Sequence, residues 1–304
     1  ADDGRLIWRY STGEWVRSSP IVVNDRVYIG SGNSDIGEPG CIHCLNSSDG
    51  SLVWKYQVEW AVFSSPTFAE GRIYVSVFAC SGYVLCLNAG DGSLIWKHST
   101  SNVEWSSPVF SSNRIYIGAP GYISCIDAEN GNLVWKHKNG NETFSNPAAS
   151  DGKLYVSSSN SYVYCFNADD GSMIWQYHLK VDLESSIIVA GDRIYACSHY
   201  GEFHCLDASS GRLVWKHNVN GVQFSSPVVS SGLIYICSYD GKVFCLSNLS
   251  VHSVLLVTGI GVAAVIGIAI LLKSKFSKTQ YLKSDTQRSL SRIFVILKNR
   301  RCCF

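Results

Sequence analysis

Residues 87–96 read LNAGDGSLIW, and the phrase returns as IDAENGNLVW at 126–135, FNADDGSMIW at 166–175 and LDASSGRLVW at 206–215. DGSLVW at 49–54 and DGRLIW at 3–8 extend the series to six tryptophans: Trp8, Trp54, Trp96, Trp135, Trp175 and Trp215. They are spaced 46, 42, 39, 40 and 40 residues apart, a period that marks a repeat architecture. About ten residues after each Trp comes Ser-Ser-Pro or a relative of it, from Ser18-Ser19-Pro20 to Ser225-Ser226-Pro227. Next is a run such as RVYIG at 26–30 or RIYVS at 72–76, and then an alternating run ending in Cys and an apolar residue: Cys44, Cys86, Cys125, Cys165, Cys205 and Cys245. Each unit thus holds four short runs rich in Val, Ile and Tyr, separated by Asp-Gly, Asn-Gly or Ser-Gly turns, which predicts a four-stranded antiparallel sheet. One such sheet has two apolar faces that it cannot bury alone, so the sheets stack as blades, and a ring removes the exposed ends.

The expected fold is therefore an all-β, six-bladed propeller over residues 1–249. The first Trp run precedes its set, and the last set, 222–247, lacks a following Trp run. Residues 1–10 are accordingly expected to supply the fourth strand of the last blade and close the ring. A seven- or eight-bladed ring stays open if further residues precede Ala1. The four phrases quoted first resemble the tryptophan-docking repeat of the pyrroloquinoline-quinone-like propeller superfamily. That family includes quinoprotein alcohol dehydrogenases and the lipoprotein propeller of the bacterial outer-membrane β-barrel assembly machine. The resemblance covers residues 1 to about 248 and implies that the six tryptophans pack between neighbouring blades. It fixes the fold rather than the activity, and six units depart from the eight blades of the dehydrogenases.

Charge divides the chain more sharply than the formal net of +1 suggests. Residues 1–272 carry 16 basic and 23 acidic groups, whereas 273–304 carry nine basic groups and one acid, Asp285. An acidic propeller argues against a nucleic-acid partner, which needs a basic face. Between them, residues 254–272 (VLLVTGIGVAAVIGIAILL) form 19 residues without a charge, long enough for a helix to cross the bilayer core. Lys273, Lys275, Lys278 and Lys283 follow at once, the mark of a cytoplasmic flank. The expectation is one transmembrane helix within 250–273, a basic cytoplasmic tail at 274–304 and a propeller outside the cell membrane. Gly259, Ala263 and Gly267 form a small-residue stripe on that helix, suited to helix-mediated dimerisation. No signal peptide opens the sequence at Ala1; a removed leader and a longer chain both account for this. Sequons at Asn46, Asn141 and Asn248 suit an exported domain.

Chemistry-bearing residues fall mostly on repeat-equivalent positions, which spreads them around the ring. The six cysteines cited above read as small buried residues, since one per blade lies too far from the next for a bridge. Cys197 with Cys205, and Cys237 with Cys245, flank hairpins at identical spacing, and a cross-strand disulfide is weighed there. Cys41 and Cys80 lie near strand ends, and Cys302-Cys303 in the tail. His98, His137 and His217 each follow a Trp by two residues and do not converge on a metal. Phosphate-loop and nucleophile-elbow patterns are not found, and no cofactor is expected.

The function expected is a non-enzymatic, membrane-anchored scaffold that binds a protein, peptide or glycan through one face. The alternative, implied by the resemblance, is a quinone-dependent dehydrogenase, which requires a Ca²⁺ site of carboxylates and amides. Here Asp3, Asp49, Asp91 and Asp170 sit in repeat turns instead. The proposed rim comprises the residues just before each Ser-Ser-Pro motif: Arg17, Phe63, Trp105, Phe144, Glu184 and Phe224. Glu14, Trp15, Glu59, Trp60, Glu104 and Glu142 lie beside them, a mixture of rings and acids suited to stacking and hydrogen bonding. Packing of the same rings between blades is the competing account.

Overall fold

A computed structural model of the chain describes residues 3–33, 39–78, 82–100, 106–138, 145–180, 186–198, 201–218, 227–237, 241–247 and 255–257. It divides into two compact units, residues 8–257 and residues 1–7 with 258–304. In the first unit lie six four-stranded antiparallel sheets, each running in chain order from its first strand to its fourth. They occupy residues 21–57, 67–99, 109–138, 148–178, 188–218 and 228–257. The short first strands of successive sheets lie side by side from the first sheet to the sixth, so the fourth strands form the outer edges, as in the blades of a propeller. Of the second unit only residues 3–7 are described; the Arg5 backbone N–H donates to the Asp3 carboxylate at 3.0 Å.

The register explains why Tyr, Cys and Trp recur. In the first sheet Tyr28, Cys44 and Trp54 lie opposite one another on the second, third and fourth strands. Tyr74, Cys86 and Trp96 repeat this in the second sheet, and Tyr116, Cys125 and Trp135 in the third. A small thiol between two large rings fills the row at constant volume, and these cysteines are buried. Burial pushes the Cys86 thiol up to about 11 and the Cys125 thiol to about 12, so they are inert packing groups at neutral pH rather than nucleophiles.

Each Trp docks on the next sheet. The indole N–H of Trp54 donates to the Ala89 carbonyl at 3.0 Å, and the Tyr28 hydroxyl donates to the same oxygen at 3.1 Å. Trp96 and Tyr74 share Ala128 in this way, Trp135 and Tyr116 share Ala168, and Trp175 and Tyr155 share Ala208. The indole lies flat on the glycine of the next turn: a Cβ on Gly131 would stand 2.7 Å from the Trp96 ring, at φ +77°. Only glycine meets both demands.

The Ser-Ser-Pro motifs tie the inner ends. Ser18 Oγ donates to the Gly30 carbonyl and accepts from the Gly30 N–H, both at 2.9 Å, and Ser64 does the same with Ser76. The second serines link sheet to sheet, through Ser19 N–H to Ser65 Oγ, Ser65 N–H to Ser107 Oγ, and Ser107 N–H to Asn146 Oδ1.

Two expectations change at the chain ends. Residues 4–10 form no strand, and the fourth strand of the sixth sheet is Leu255–Val257, with Leu255 opposite Cys245 where other sheets carry Trp. The N-terminal strand therefore does not complete the last blade. A segment eight residues beyond the third strand closes a hairpin at far smaller entropic cost than one brought from the other end of the chain. Trp8 nevertheless docks on the first sheet as the others dock: its indole N–H donates to the Ser47 carbonyl at 2.9 Å, and its ring covers Gly50. Residues 255–257 also fall within the run read as a transmembrane helix; its other residues lie outside the described ones, as do the small-residue stripe and the tail. Among the described residues no helix is long and apolar enough to cross a membrane.

The Trp–Gly contact makes a direct prediction. Gly131→Ala forces a Cβ into the Trp96 ring and strains a left-handed backbone position, so it is expected to cost about 2–4 kcal/mol. Gly152→Ala, with a similar φ of +68° and nothing within 4 Å, is expected to cost about 1 kcal/mol. Urea unfolding of the two variants checks the difference.

Candidate functional site

The candidate binding face is where fourth strands end and the chain crosses to the next first strand. In the first crossing, Thr12 Oγ1 donates to the Glu14 carbonyl at 2.7 Å, and the Trp15 carbonyl accepts from the Gly32 N–H at 3.0 Å. These bonds hold the segment by its backbone, so the Trp15 side chain is left 47% exposed. The second crossing is fixed likewise, with the Gly40 N–H donating to the Trp60 carbonyl at 3.2 Å, and Trp60 is 36% exposed. The Arg17 guanidinium joins the two crossings. It lies 4.9 Å from the Trp15 ring centroid and 5.0 Å from that of Phe63, a cation–π sandwich.

Of the six rim positions, the structure brings Arg17 and Phe63 together. Arg17 is exposed, whereas Phe63 is 5% exposed and packs on Phe78 with centroids 5.7 Å apart. Phe63 thus supports Arg17 from below and offers no stacking face of its own. Trp105, Phe144, Glu184 and Phe224 lie outside the described residues, as do Glu104 and Glu142.

Beside Trp60, between the first and second sheets, is a shallow cleft of ≈ 400 Å³. The segment Tyr56–Glu59 forms one wall, and Tyr83 and Lys97 the other. Lys97 Nζ stands 3.6 Å from the Tyr83 ring centroid. Burial, together with the nearby Glu59 carboxylate, raises the Tyr83 phenol above its ordinary value, opposed by a hydrogen bond from the Glu59 backbone.

Histidines matter in a way the spacing did not reveal. His98 and His137 are engaged singly, in a hydrogen bond of 2.7 Å to the Gly131 carbonyl and a stack on Phe166. The most buried is His43, with Nε2 2.9 Å from Ser31 Oγ and Nδ1 3.2 Å from the Tyr10 hydroxyl. A Ser beside a His has the geometry of a nucleophile and its base. Yet both Ser31 and His43 are sealed from solvent, so the bonds fix Tyr10 on the first sheet instead. In the sequence His43 shows only as one polar residue within the apolar run CIHCL at 41–45.

Acids are spent locally. Asp49, Asp91 and Asp170 each accept from the backbone and hydroxyl of the serine two residues on, which holds their carboxyls below the usual range. Among the described residues no three His, Cys, Asp or Glu converge to hold a metal ion. The weighed disulfides meet an unfavourable register: Cys205 is opposite Tyr195 while Cys197 is opposite Phe203, and Cys245 is opposite Tyr235 while Cys237 is opposite Val243. Diagonal residues two apart stand too far for a relaxed bridge.

Comparison with known proteins agrees with this fold. The family model described as outer membrane protein assembly factor BamB matches residues 1–77 and 81–246. The chain belongs to that family. BamB propellers also appear among similar solved structures: BamB from Moraxella catarrhalis has a TM-score of 0.53 at 17% identity, over 82% of this chain and 88% of that one. A quinohemoprotein alcohol dehydrogenase from Pseudomonas putida gives 0.63 at 17% identity, over 80% of this chain and 53% of its own. A europium-containing methanol dehydrogenase gives 0.66 at 15% identity, over 79% and 64%. The chain therefore spans less than two thirds of either dehydrogenase, and at such identities the likeness shows the fold alone. No curated protein matches the sequence.

His43 gives this BamB-family chain a pH dependence. Burial, then the Lys55 charge, pushes its imidazole from 6.5 down to about 4. The unfolded chain binds the proton between these values and the folded one does not, so stability is complete above about pH 6.5 and falls as pH drops toward 4. The loss is expected to be roughly 2–4 kcal/mol. His43→Leu, which installs the residue that the second sheet carries at Leu85, is expected to flatten that part of a stability–pH profile.

Proposed function

We propose that this chain is a membrane-anchored, non-enzymatic propeller that engages a protein, peptide or glycan partner through the face bearing Trp15, Arg17 and Trp60. The observation that carries the reading is the arginine seated between rings beside two exposed tryptophans, on crossings pinned by their backbones. Trp and Arg are enriched among the few residues that carry most of the binding energy of protein interfaces. Membership of a family described as an outer-membrane protein assembly factor favours a protein partner within this set. Residues 254–272 serve as the anchor, with 274–304 cytoplasmic and the propeller outside, as the uncharged run and its lysines suggest. In that state Leu255–Val257 belong to the anchor rather than to the sixth sheet.

A second reading, a quinone-dependent dehydrogenase, is favoured by the higher TM-scores to two dehydrogenases. The spending of Asp49, Asp91 and Asp170 on their own turns weighs against it. Incubating purified protein with pyrroloquinoline quinone and Ca²⁺ separates the two, since a holoenzyme develops the bound-quinone absorbance and reduces a dye with an alcohol.

A photo-crosslinking residue at position 15 tests the first reading in intact cells. Discrete crosslinked species are expected from position 15, lost when Arg17→Ala and Trp60→Ala are added, and not obtained from position 48 on a turn between third and fourth strands. Equal crosslinking from both positions counts against the face. An epitope after Phe304 is expected to be detected only in permeabilised cells, and labelling of intact cells reverses the proposed topology.

A further inference from the structure

One pair of positions sets how each groove between neighbouring sheets is filled: the ring two residues after the docking Trp, and the residue before the central Cys of the next sheet. Tyr10 bonds His43 at 3.2 Å, and Tyr177 bonds His204 at 3.4 Å. His98 turns to the Gly131 carbonyl and His137 stacks on Phe166. Between the first and second sheets the pair is Tyr56 and Leu85. Leu85 offers no hydrogen bond, and the Tyr56 hydroxyl makes none among the described residues; His217, next to the sixth sheet, makes none either. Beside Tyr56 the groove opens into the ≈ 400 Å³ cleft.

The cleft breaks the repeat in its charges as well. Lys97 lies over Tyr83 and has no carboxylate within ion-pair distance among the described residues, whereas its counterpart Lys216 faces Glu202 at 3.8 Å. Glu59, exposed on the facing wall, has no cationic partner there either. Lys136 over Tyr122 repeats the cation–π contact at 3.3 Å, but in that groove His98 is already engaged. The first groove therefore presents an ammonium, a carboxylate, the Tyr56 phenol and the Gln57 amide around an apolar floor of Val58 and Leu85.

We propose that this cleft binds a short extended peptide. A peptide carboxylate meets Lys97 Nζ, a peptide cation meets the Glu59 carboxylate, and an apolar side chain between them covers Val58 and Leu85. Charges of both signs on opposite walls favour a zwitterionic ligand over a neutral sugar, whose hydroxyls can hydrogen-bond both groups but neutralise neither, and Glu59 disfavours a polyanion. The volume lies toward the lower end of the 300–1,000 Å³ of small-ligand sites and admits about two or three residues. The shallow mouth suits a chain that continues past both ends. The carboxylate comes either from an acidic side chain or from a free C-terminus. The inference rests on the binding reading of this face.

Two arrays of random hexapeptides, one with free C-terminal carboxylates and one with C-terminal amides, are probed with the full chain. Selected peptides are then titrated in solution. Peptides carrying both an acidic and a basic group are expected on both arrays if side chains supply the carboxylate, and on the first alone if the terminus does. Lys97→Gln and Glu59→Gln are each expected to weaken binding about tenfold, with melting temperatures unchanged. Leu85→His, which restores the Tyr–His closure of other grooves, is expected to abolish it. Absence of binders from both arrays overturns the proposal, as does binding untouched by all three substitutions. If that binding is lost in Trp15→Ala with Arg17→Ala, the cleft is wrong and the face still binds. If the position-15 crosslinks fail while the cleft variants behave as expected, the rim reading alone falls.

Discussion

Everything in this fold depends on an indole laid flat on a glycine. The Trp of one sheet covers the turn glycine of the next, and its N–H and a tyrosine hydroxyl converge on the alanine carbonyl three residues before that glycine. The contact removes a large apolar ring from water, satisfies a buried carbonyl twice, and fixes the angle between sheets because the ring is rigid. Each further feature answers to it. The turn must be Asx-Gly or Ser-Gly so that the ring can lie on it, and the Asp or Ser before the glycine is then free to cap the turn. The residue opposite the Trp must be small, and five strands carry Cys there. A bulge follows that Cys in five sheets, so the two residues before the Trp both turn outward, as Leu94 and Ile95 do.

Such a lock explains how much was legible in the residues. The period near forty and the four runs per unit were readable, because the first five sheets need the same Trp and Cys and the chain must restate them; the docking role of Trp came from the family resemblance. The ends were less readable. Trp8 carries the docking signal and docks on Ser47 and Gly50, yet its segment pairs with no strand, while Leu255–Val257 hydrogen-bonds without a Trp at all. Docking and strand pairing are separate interactions that coincide in the inner repeats. A pattern learned from those repeats cannot tell them apart where they part company.

The candidate site was less legible still, for a physical reason. Position in the repeat places a residue around the axis and fixes its height, but exposure depends on what the neighbouring crossing does. Arg17 and Phe63 occupy equivalent positions, and one caps the other, so one is exposed and the other buried. His43 reads as one polar residue in an apolar run, and only the fold shows that Ser31 and Tyr10, distant in sequence, satisfy both its nitrogens.

A ring of near-identical units presents the same surface several times, and a partner of lower symmetry can single out one place only where the repeat fails. Stability asks for the opposite, since every substitution in the Trp–Gly–Tyr lock weakens a junction. The two demands are met on different residues. The lock lies at the turns between third and fourth strands and tolerates little change, whereas the crossings to the next sheet are held by backbone hydrogen bonds, such as Gly40 to Trp60, that are indifferent to side chains. There the sequence is free to place Arg in one unit and Phe in the next. Departures that matter for recognition are therefore concentrated at the end of the molecule where they cost the fold least.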